Sequence, residues 1–234
     1  MKLFAKKQPR CCAVIVAAGS ASRMGGIDKV MAPIGGVPMI LRTAQVFDAC
    51  DAIDEIIIVT RKDLLEPIND LCRDCAKLSA VVCGGETRTD SVMAGLTALA
   101  ERCQLVAVHD GARPLVTAQI ICDTVERARK TYAAAPAVAV KDTIKIADDG
   151  KILSTPDRSH LFAVQTPQVF DYDLLCAALT AARQNKLPLT DECAAVEQLG
   201  KTVYLTEGSY ENIKVTTPVD LAVAEAILQW RKQA

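Results

Sequence analysis

Residues 13–29 read AVIVAAGSASRMGGIDK, an apolar strand that runs straight into a loop of small residues ending in cations. That arrangement constrains the fold more than any other feature of the chain. A buried strand followed at once by a small-residue loop is the opening of an α/β sheet with a ligand site at the strand's C-terminal end. Gly19, Ser20, Ala21 and Ser22 carry little side-chain bulk, so backbone N–H groups can approach phosphate oxygens closely. Arg23 and Lys29 add the fixed positive charge that phosphoryl or nucleotidyl transfer requires. Two better-known loops do not fit. Residues 19–26 contain no Gly-Lys-Ser/Thr, which a P-loop needs, and Ala21 stands where a dinucleotide fingerprint has its second glycine. A plain strand-to-helix connection is the bland alternative.

The pattern downstream extends the same architecture. Strands are predicted at 12–16, 55–59, 80–83, 105–109 and 137–140, with amphipathic helices between them at 38–50, 62–75, 89–102 and 117–132. This alternation predicts a largely parallel sheet covered on both faces, within one domain spanning 1–234. Half the residues are apolar and only 4% aromatic, so the core is aliphatic. Residues 141–162 break the rhythm. They read as two short strands, 143–146 and 151–153, around Asp148-Asp149-Gly150. A lone hairpin is marginal in water, so the expectation is a projecting arm that packs on a second subunit, with a solvent-exposed flap as the alternative. Beyond it come a helix at 171–184, another capped by Thr190, strands near 203–205 and 212–215, and a last helix from Pro218. Thr217-Pro218-Val219-Asp220 combines an N-cap hydroxyl, proline at the first helical position and an acid in the first turn.

A formal net charge of −1 gives no reason to expect a nucleic-acid or anionic-membrane surface. With no signal-peptide core and no long apolar run, a cytoplasmic enzyme acting on small anions is expected. Ten cysteines could signal disulfides, and Cys72 and Cys75, expected on one helix, could form half a metal site. Structural thiols are the preferred reading, because Cys11, Cys12, Cys83, Cys122 and Cys176 have apolar neighbours and the chain has only two histidines to complete a zinc shell.

Asp110 closes an apolar strand, where a carboxylate can ligate Mg²⁺ carried by a triphosphate; a helix cap or an ion pair with Arg113 explains it equally well. His109 is expected to pack in the core. Lys214 stands among β-branched residues on the strand at 212–215, as a site cation or through simple alternation. Ser91 can serve the nucleotide, cap the following helix, or do both.

Seven segments in order, AAGSASRMGGIDK, GGETRTDSVMAGL, VHDGARP, VKDTIK, DRSHLFAVQTPQVF, LTDE and ENIKVTTPVDL, resemble the 2-C-methyl-D-erythritol 4-phosphate cytidylyltransferase family over essentially the whole chain. The family loop commonly has glycine where Ala21 stands and Pro-Lys-Gln where Asp28-Lys29-Val30 stands. The resemblance implies a Rossmann-like three-layer sandwich with a mainly parallel sheet and a projecting hairpin. It implies attack of methylerythritol phosphate on the α-phosphorus of CTP, with Mg²⁺ as cofactor and no covalent enzyme intermediate. Arg23, Lys29 and Lys214 would then be catalytic, and Ala17, Ala18, Gly19, Gly85, Asp90 and Ser91 would surround the nucleotide. Asp110, Arg113, Thr143, Arg158, Thr166, Thr190 and Lys214 would serve the acceptor, Asp110 also holding the metal. The arm at 141–162 would reach a neighbouring subunit in a homodimer and complete a composite site. Two alternatives stay open: a cytidylyltransferase for ribitol 5-phosphate or another polyol phosphate, and a nucleotide-sensing domain without chemistry.

Overall fold

Strand β1 (Cys11–Val16) is apolar throughout because both of its faces are covered. Cys11, Ala13 and Ile15 point into one core and Cys12 and Val14 into another, the period-2 alternation of a strand. The computed structural model describes residues 10–19, 28–100, 103–186 and 188–233. In chain order β1 is followed by β2 (Pro33–Ile34), β3 (Val37–Pro38), α1 (Met39–Asp48), β4 (Glu55–Thr60), α2 (Leu65–Leu71), β5 (Leu78–Cys83) and α3 (Arg88–Thr97). Then come β6 (Leu105–Asp110), α4 (Ala118–Thr131), β7 (Ala133–Ala139), β8 (Ile146–Asp148), β9 (Lys151–Ser154), β10 (Phe162–Val164) and β11 (Gln168–Asp171). The chain finishes with α5 (Tyr172–Gln184), α6 (Glu192–Gln198), β12 (Tyr204–Glu207) and α7 (Pro218–Arg231).

β1 lies between β4 and β6 and runs parallel to both, and β5 extends the sheet parallel to β4. On the other side β11 is wedged antiparallel between β6 and β7, while β12 pairs parallel with β7 and β10 antiparallel. Helices α1, α2 and α4 cover one face through Phe47, Ile68, Ile121 and Val125. Helices α3, α5 and α6 cover the other through Val92, Leu96, Leu175, Leu179 and Val196. The result is the three-layer α/β sandwich with a mainly parallel sheet. A third cluster seats α7 against Ile34, Met39, Leu115 and Val215. Helix α7 starts as its sequence predicts, with a reciprocal cap between Thr217 and Asp220 and Pro218 in the first turn.

Several elements differ from the sequence expectation. The helix predicted at 62–75 is a 3-10 turn, Lys62–Leu64, followed by α2, because Pro67 is tolerated only in a first helical turn. Cys72 caps α2 and Cys75 lies in the turn after it, so the two thiols do not share a helix. None of the ten cysteines is in a disulfide; Cys83 is exposed and Cys122 and Cys176 are only half-buried, whereas Cys11 and Cys12 are fully in the core. Strand β7 begins at Ala133 rather than 137, because Tyr132 at φ 67° ends α4 abruptly and returns the chain to the sheet. Residues 212–215 form no strand: the segment turns through an Asn212 N–H to Ser209 C=O bond and makes one sheet-like bond, Val215 N–H to Ala112 C=O. Thr190 does not cap α6; Asp191 does, accepting from Ala194 N–H at 2.9 Å. Ser91 does not cap α3, which starts from a reciprocal cap between Thr87 and Asp90. The arm hairpin exists, with Asp149 and Gly150 at positive φ, but its first strand starts at Ile146 and leaves Thr143 outside it.

Gly95 shows how closely the layers approach. A Cβ there would press into Val14 Cγ1 and stand 2.9 Å from Val59 Cγ2, so α3 lies on the sheet through a bare backbone. Gly95→Ala gains helix propensity worth up to about 1 kcal/mol. The overpacking it forces costs typically 1–3 kcal/mol. The net expectation is a lower urea midpoint for Gly95→Ala, and a midpoint at or above the parent value would show that the layers yield.

Candidate active site

The site is built where β1, β5 and β6 end. Ala17 continues β1 by donating its N–H to Val59 C=O at 2.7 Å, and Gly84 docks on β4 through Thr60 C=O at 2.8 Å. A Cβ on Gly84 would meet Ala18 Cβ at 2.6 Å, and one on Gly85 would press into Asp90 Cβ, so only glycine lets these loops close on one another. Between them lies a cavity of about 360 Å³ lined by Ala17, Ala18, Gly19, Lys29, Gly85, Ser91, Asp110 and Lys214. Eight residues named from the sequence thus meet at one place. Arg23 lies outside the described residues.

Lys29 opens a short 3-10 turn, Lys29–Met31, whose Asp28 cap is ion-paired with Arg61. Ser91 braces the opposite wall, accepting from Gly85 N–H at 3.2 Å and donating to Thr87 C=O at 3.0 Å. Lys214, half-exposed, reaches the wall from the segment before α7 and meets Asp110 at 3.0 Å.

Asp110 is the electrostatic centre. Its side chain is only 7% exposed, yet Arg88 approaches at 2.7 Å, Lys214 at 3.0 Å and Arg113 at 3.4 Å. Burial alone would push the carboxyl up, but the charges of Arg88, Lys214 and Arg113 prevail and hold it well below the ordinary carboxylate range. Arg88 is gripped a second time by the buried Glu192, through paired bonds of 3.1 and 2.9 Å. Burial pushes the Glu192 carboxyl up against the pull of that guanidinium.

Arg88 and Glu192 were not assigned from the sequence, although a signal was present. Both are charged residues in the first turn of a helix, and Arg88 is a cation where the helix dipole disfavours one, so another interaction has to hold it there. Other named residues lie outside the cavity lining. Asp90 is engaged by Thr87 at 2.7 Å and by Arg183 at 3.6 Å, facing a neighbouring cleft. Arg113 donates to Asn212 C=O at 2.8 Å, and Thr166 is buried with its hydroxyl accepting from Asp110 N–H at 3.1 Å. Thr143, Arg158 and Thr190 are exposed, and Arg158 donates to Lys141 C=O at 2.6 Å within the arm. His109 is fully buried with its ring 4.8 Å from that of Phe47, as core packing requires.

A family model described as 2-C-methyl-D-erythritol 4-phosphate cytidylyltransferase matches residues 11–230. The chain belongs to that family. A cytidylyltransferase of this name from Alkaliphilus oremlandii is 42% identical, with 94% of this chain and 95% of the relative aligned. One from Caldanaerobacter subterraneus is 45% identical, covering 93% and 98%. Among solved structures, the 4-diphosphocytidyl-2C-methyl-D-erythritol synthase of Anaerococcus prevotii superimposes with a TM-score of 0.86 at 33% identity, covering 94% of this chain and 99% of that one. The cytidylyltransferase of Thermus thermophilus gives 0.79 at 30% identity, covering 94% and 99%. The cavity of this family member is therefore described on a fold whose solved relatives bear the same function in their names.

The buried imidazole beside the site makes stability depend on pH. Burial pushes the pKa of His109 down to about 4, whereas an unfolded histidine titrates near 6.5. Between those values the unfolded chain binds the additional proton. The contribution of His109 is thus complete above pH 6.5 and lost as pH falls toward 4, by about 1.4 kcal/mol per unit and about 3 kcal/mol in all. The unfolding free energy of the parent should fall more steeply across that window than that of His109→Gln; parallel curves would contradict the assignment.

Proposed function

We propose that the chain transfers CMP from CTP to 2-C-methyl-D-erythritol 4-phosphate, giving 4-diphosphocytidyl-2-C-methyl-D-erythritol and pyrophosphate, a step of non-mevalonate isoprenoid precursor synthesis. The observation that carries this reading is the cavity at the strand ends, where the small residues at 17–19 and Gly85 share one lining with Lys29 and Lys214. A triphosphate in such a cavity has uncrowded backbone and two ammonium groups within one lining. An oxygen of the acceptor phosphate attacks the α-phosphorus, and the bond from that phosphorus to the bridging oxygen breaks, releasing pyrophosphate. Charge develops on the leaving phosphates and on the α-phosphoryl oxygens, which is where Lys29 and Lys214 serve, with Arg23 as a third cation. Asp110 holds Lys214 in place, and Ser91 keeps the Gly85 loop open to the nucleotide.

Mg²⁺ does not fit as an ion held by the protein. Both Asp110 oxygens are taken by cations, and among the described residues no three His, Cys, Asp or Glu side chains gather to hold a metal. A divalent ion, if the reaction uses one, would have to be carried by the triphosphate, whose charge it would screen, since Asp110 is committed to Arg88, Arg113 and Lys214.

The arm supports a homodimer. Ile146, Ile152 and Leu153 are 53%, 64% and 65% exposed, which is a large apolar area for a hairpin that pairs with no further strand among the described residues. In this reading the molecule is one domain whose arm, 141–162, carries Thr143 and Arg158 into the site of its partner. There they receive the acceptor together with Thr190 and Lys214, Arg158 clamping its phosphate. Thr166, buried and with its hydroxyl engaged by Asp110 N–H and His109, is left out of that set. Ten cysteines without a disulfide agree with a reducing, cytoplasmic setting.

Pyrophosphate release with CTP should occur with methylerythritol phosphate and not with ribitol 5-phosphate; the reverse preference would move the enzyme to another pathway, and CTP binding without release would indicate a sensor. Lys29→Ala and Lys214→Ala should each lower kcat on the order of 10²- to 10³-fold. Mixing Lys29→Ala with Arg158→Ala subunits should restore about one quarter of parental turnover on random pairing, since one of the two sites in each mixed dimer is intact. No recovery would place Arg158 in its own chain's site.

A further inference from the structure

The hydrogen-bonding atoms around His109 leave one consistent arrangement. Nε2 lies 3.2 Å from Arg113 C=O, and a carbonyl only accepts, so Nε2 carries the proton. Nδ1 lies 3.0 Å from Thr166 Oγ1, which also accepts the N–H of Asp110 at 3.1 Å. Were Nδ1 protonated as well, both lone pairs of the hydroxyl would be taken by N–H groups, and among the described residues its own proton would have no acceptor. With Nδ1 bare, each donor has an acceptor, and the chain runs in one direction from Asp110 N–H to Thr166 Oγ1–H to His109 Nδ1, and from His109 Nε2–H to Arg113 C=O. Its two ends are the backbones of residues whose side chains meet at 3.4 Å.

A second path closes on the same place. Arg113 donates to Asn212 C=O at 2.8 Å, and Asn212 Nδ2 donates to Thr166 C=O at 3.1 Å. Asn212 is fully buried and stands two residues before Lys214, whose ammonium meets Asp110. The circuit therefore ties the β6 turn, the segment before β11 and the lysine-bearing segment together, beneath the cavity wall that Asp110 and Lys214 form.

We propose that His109, locked as the Nε2–H tautomer by Thr166 and Arg113, is a positioning residue that sets Asp110, and through it Lys214, for the reaction. It touches no substrate. The inference rests on the cytidylyltransferase reading for the reaction served, whereas the tautomer itself does not. A displacement of about 1 Å in a catalytic group costs on the order of 10²-fold in rate, so a loosened circuit should be seen in kcat rather than in KM for CTP.

The test combines long-range ¹H–¹⁵N NMR with kinetics, on the full chain at a temperature where each variant is folded. The chain has two histidines, so His160→Gln isolates the His109 signals. The expected pattern is a bare Nδ1 and a protonated Nε2. Thr166→Val should disturb that pattern and lower kcat about 10- to 100-fold with little change in KM for CTP, and Thr166→Ser should restore both. His109→Phe should give a similar loss, and the double variant His109→Phe/Thr166→Val should be no worse than either alone. Should Thr166→Val not fold, His109→Gln, which keeps a donor toward Arg113 but gives Thr166 no ring acceptor, takes its place. A protonated Nδ1 in the parent, an unchanged kcat in the variants, or losses that simply multiply would each overturn the proposal. The expected tautomer without turnover on any acceptor would count against the assigned reaction while upholding the locked ring.

Discussion

One buried carboxylate organises this molecule's chemistry. Asp110 ends the strand beside β1 and holds three cations contributed by three separate parts of the chain: Arg88 from α3, Arg113 from the following turn and Lys214 from the segment before α7. Without that negative charge the three would repel one another across a few ångströms of low-dielectric protein, and Glu192 alone could neutralise only Arg88. With it, the site keeps a net positive wall facing the cavity while each of the three cations has a carboxylate partner. A triphosphate bound as proposed would meet cations already oriented, at little reorganisation cost.

The sheet makes that convergence possible. Parallel strands deliver their C-terminal ends to one edge, so residues at 17–19, 84–85 and 110 become neighbours without any local sequence relation. Glycine at 84, 85 and 95 lets backbone stand directly against side chains and so removes the gap that a Cβ would open. The aliphatic core serves the same end: alternate residues of β1 and β4 enter two separate clusters, and the sheet between them is held from both sides.

Much of this was legible in the residues. Strands β1, β4 and β6 announce themselves by unbroken apolar runs, and α7 by its cap, because each depends on interactions within a few positions of sequence. Loop positions read as phosphate-facing, among them Gly19, Lys29 and Gly85, do line the cavity. Failures fall where distant contacts outweigh local preference. Ile213 and Val215 have strand-like side chains, yet the buried Asn212 amide bonds Gln165 and Thr166 and holds that segment out of the sheet. Alanines 133–135 have weak strand preference and were missed, because a central position in the sheet decides their conformation. Arg88 and Glu192 were overlooked for a related reason: their partnership spans 104 positions of sequence and has no local period.

The sheet's connectivity also bears on how the enzyme is made. Strands β1, β4, β5 and β6 and the arginines at 88 and 113 leave the ribosome well before Glu192 and Lys214 exist. During that interval Asp110 faces two guanidinium groups with no second acid to share them, and the wedge strand β11 has yet to separate β6 from β7. Long-range pairings of this kind form late. Glu192 and Lys214 bring opposite charges, so the net charge of the cluster is the same before and after they arrive. What the finished chain alone supplies is the second grip on Arg88 and the ammonium group on Asp110, and a truncated or nascent enzyme would hold a half-built sheet with its arginines anchored by a single acid.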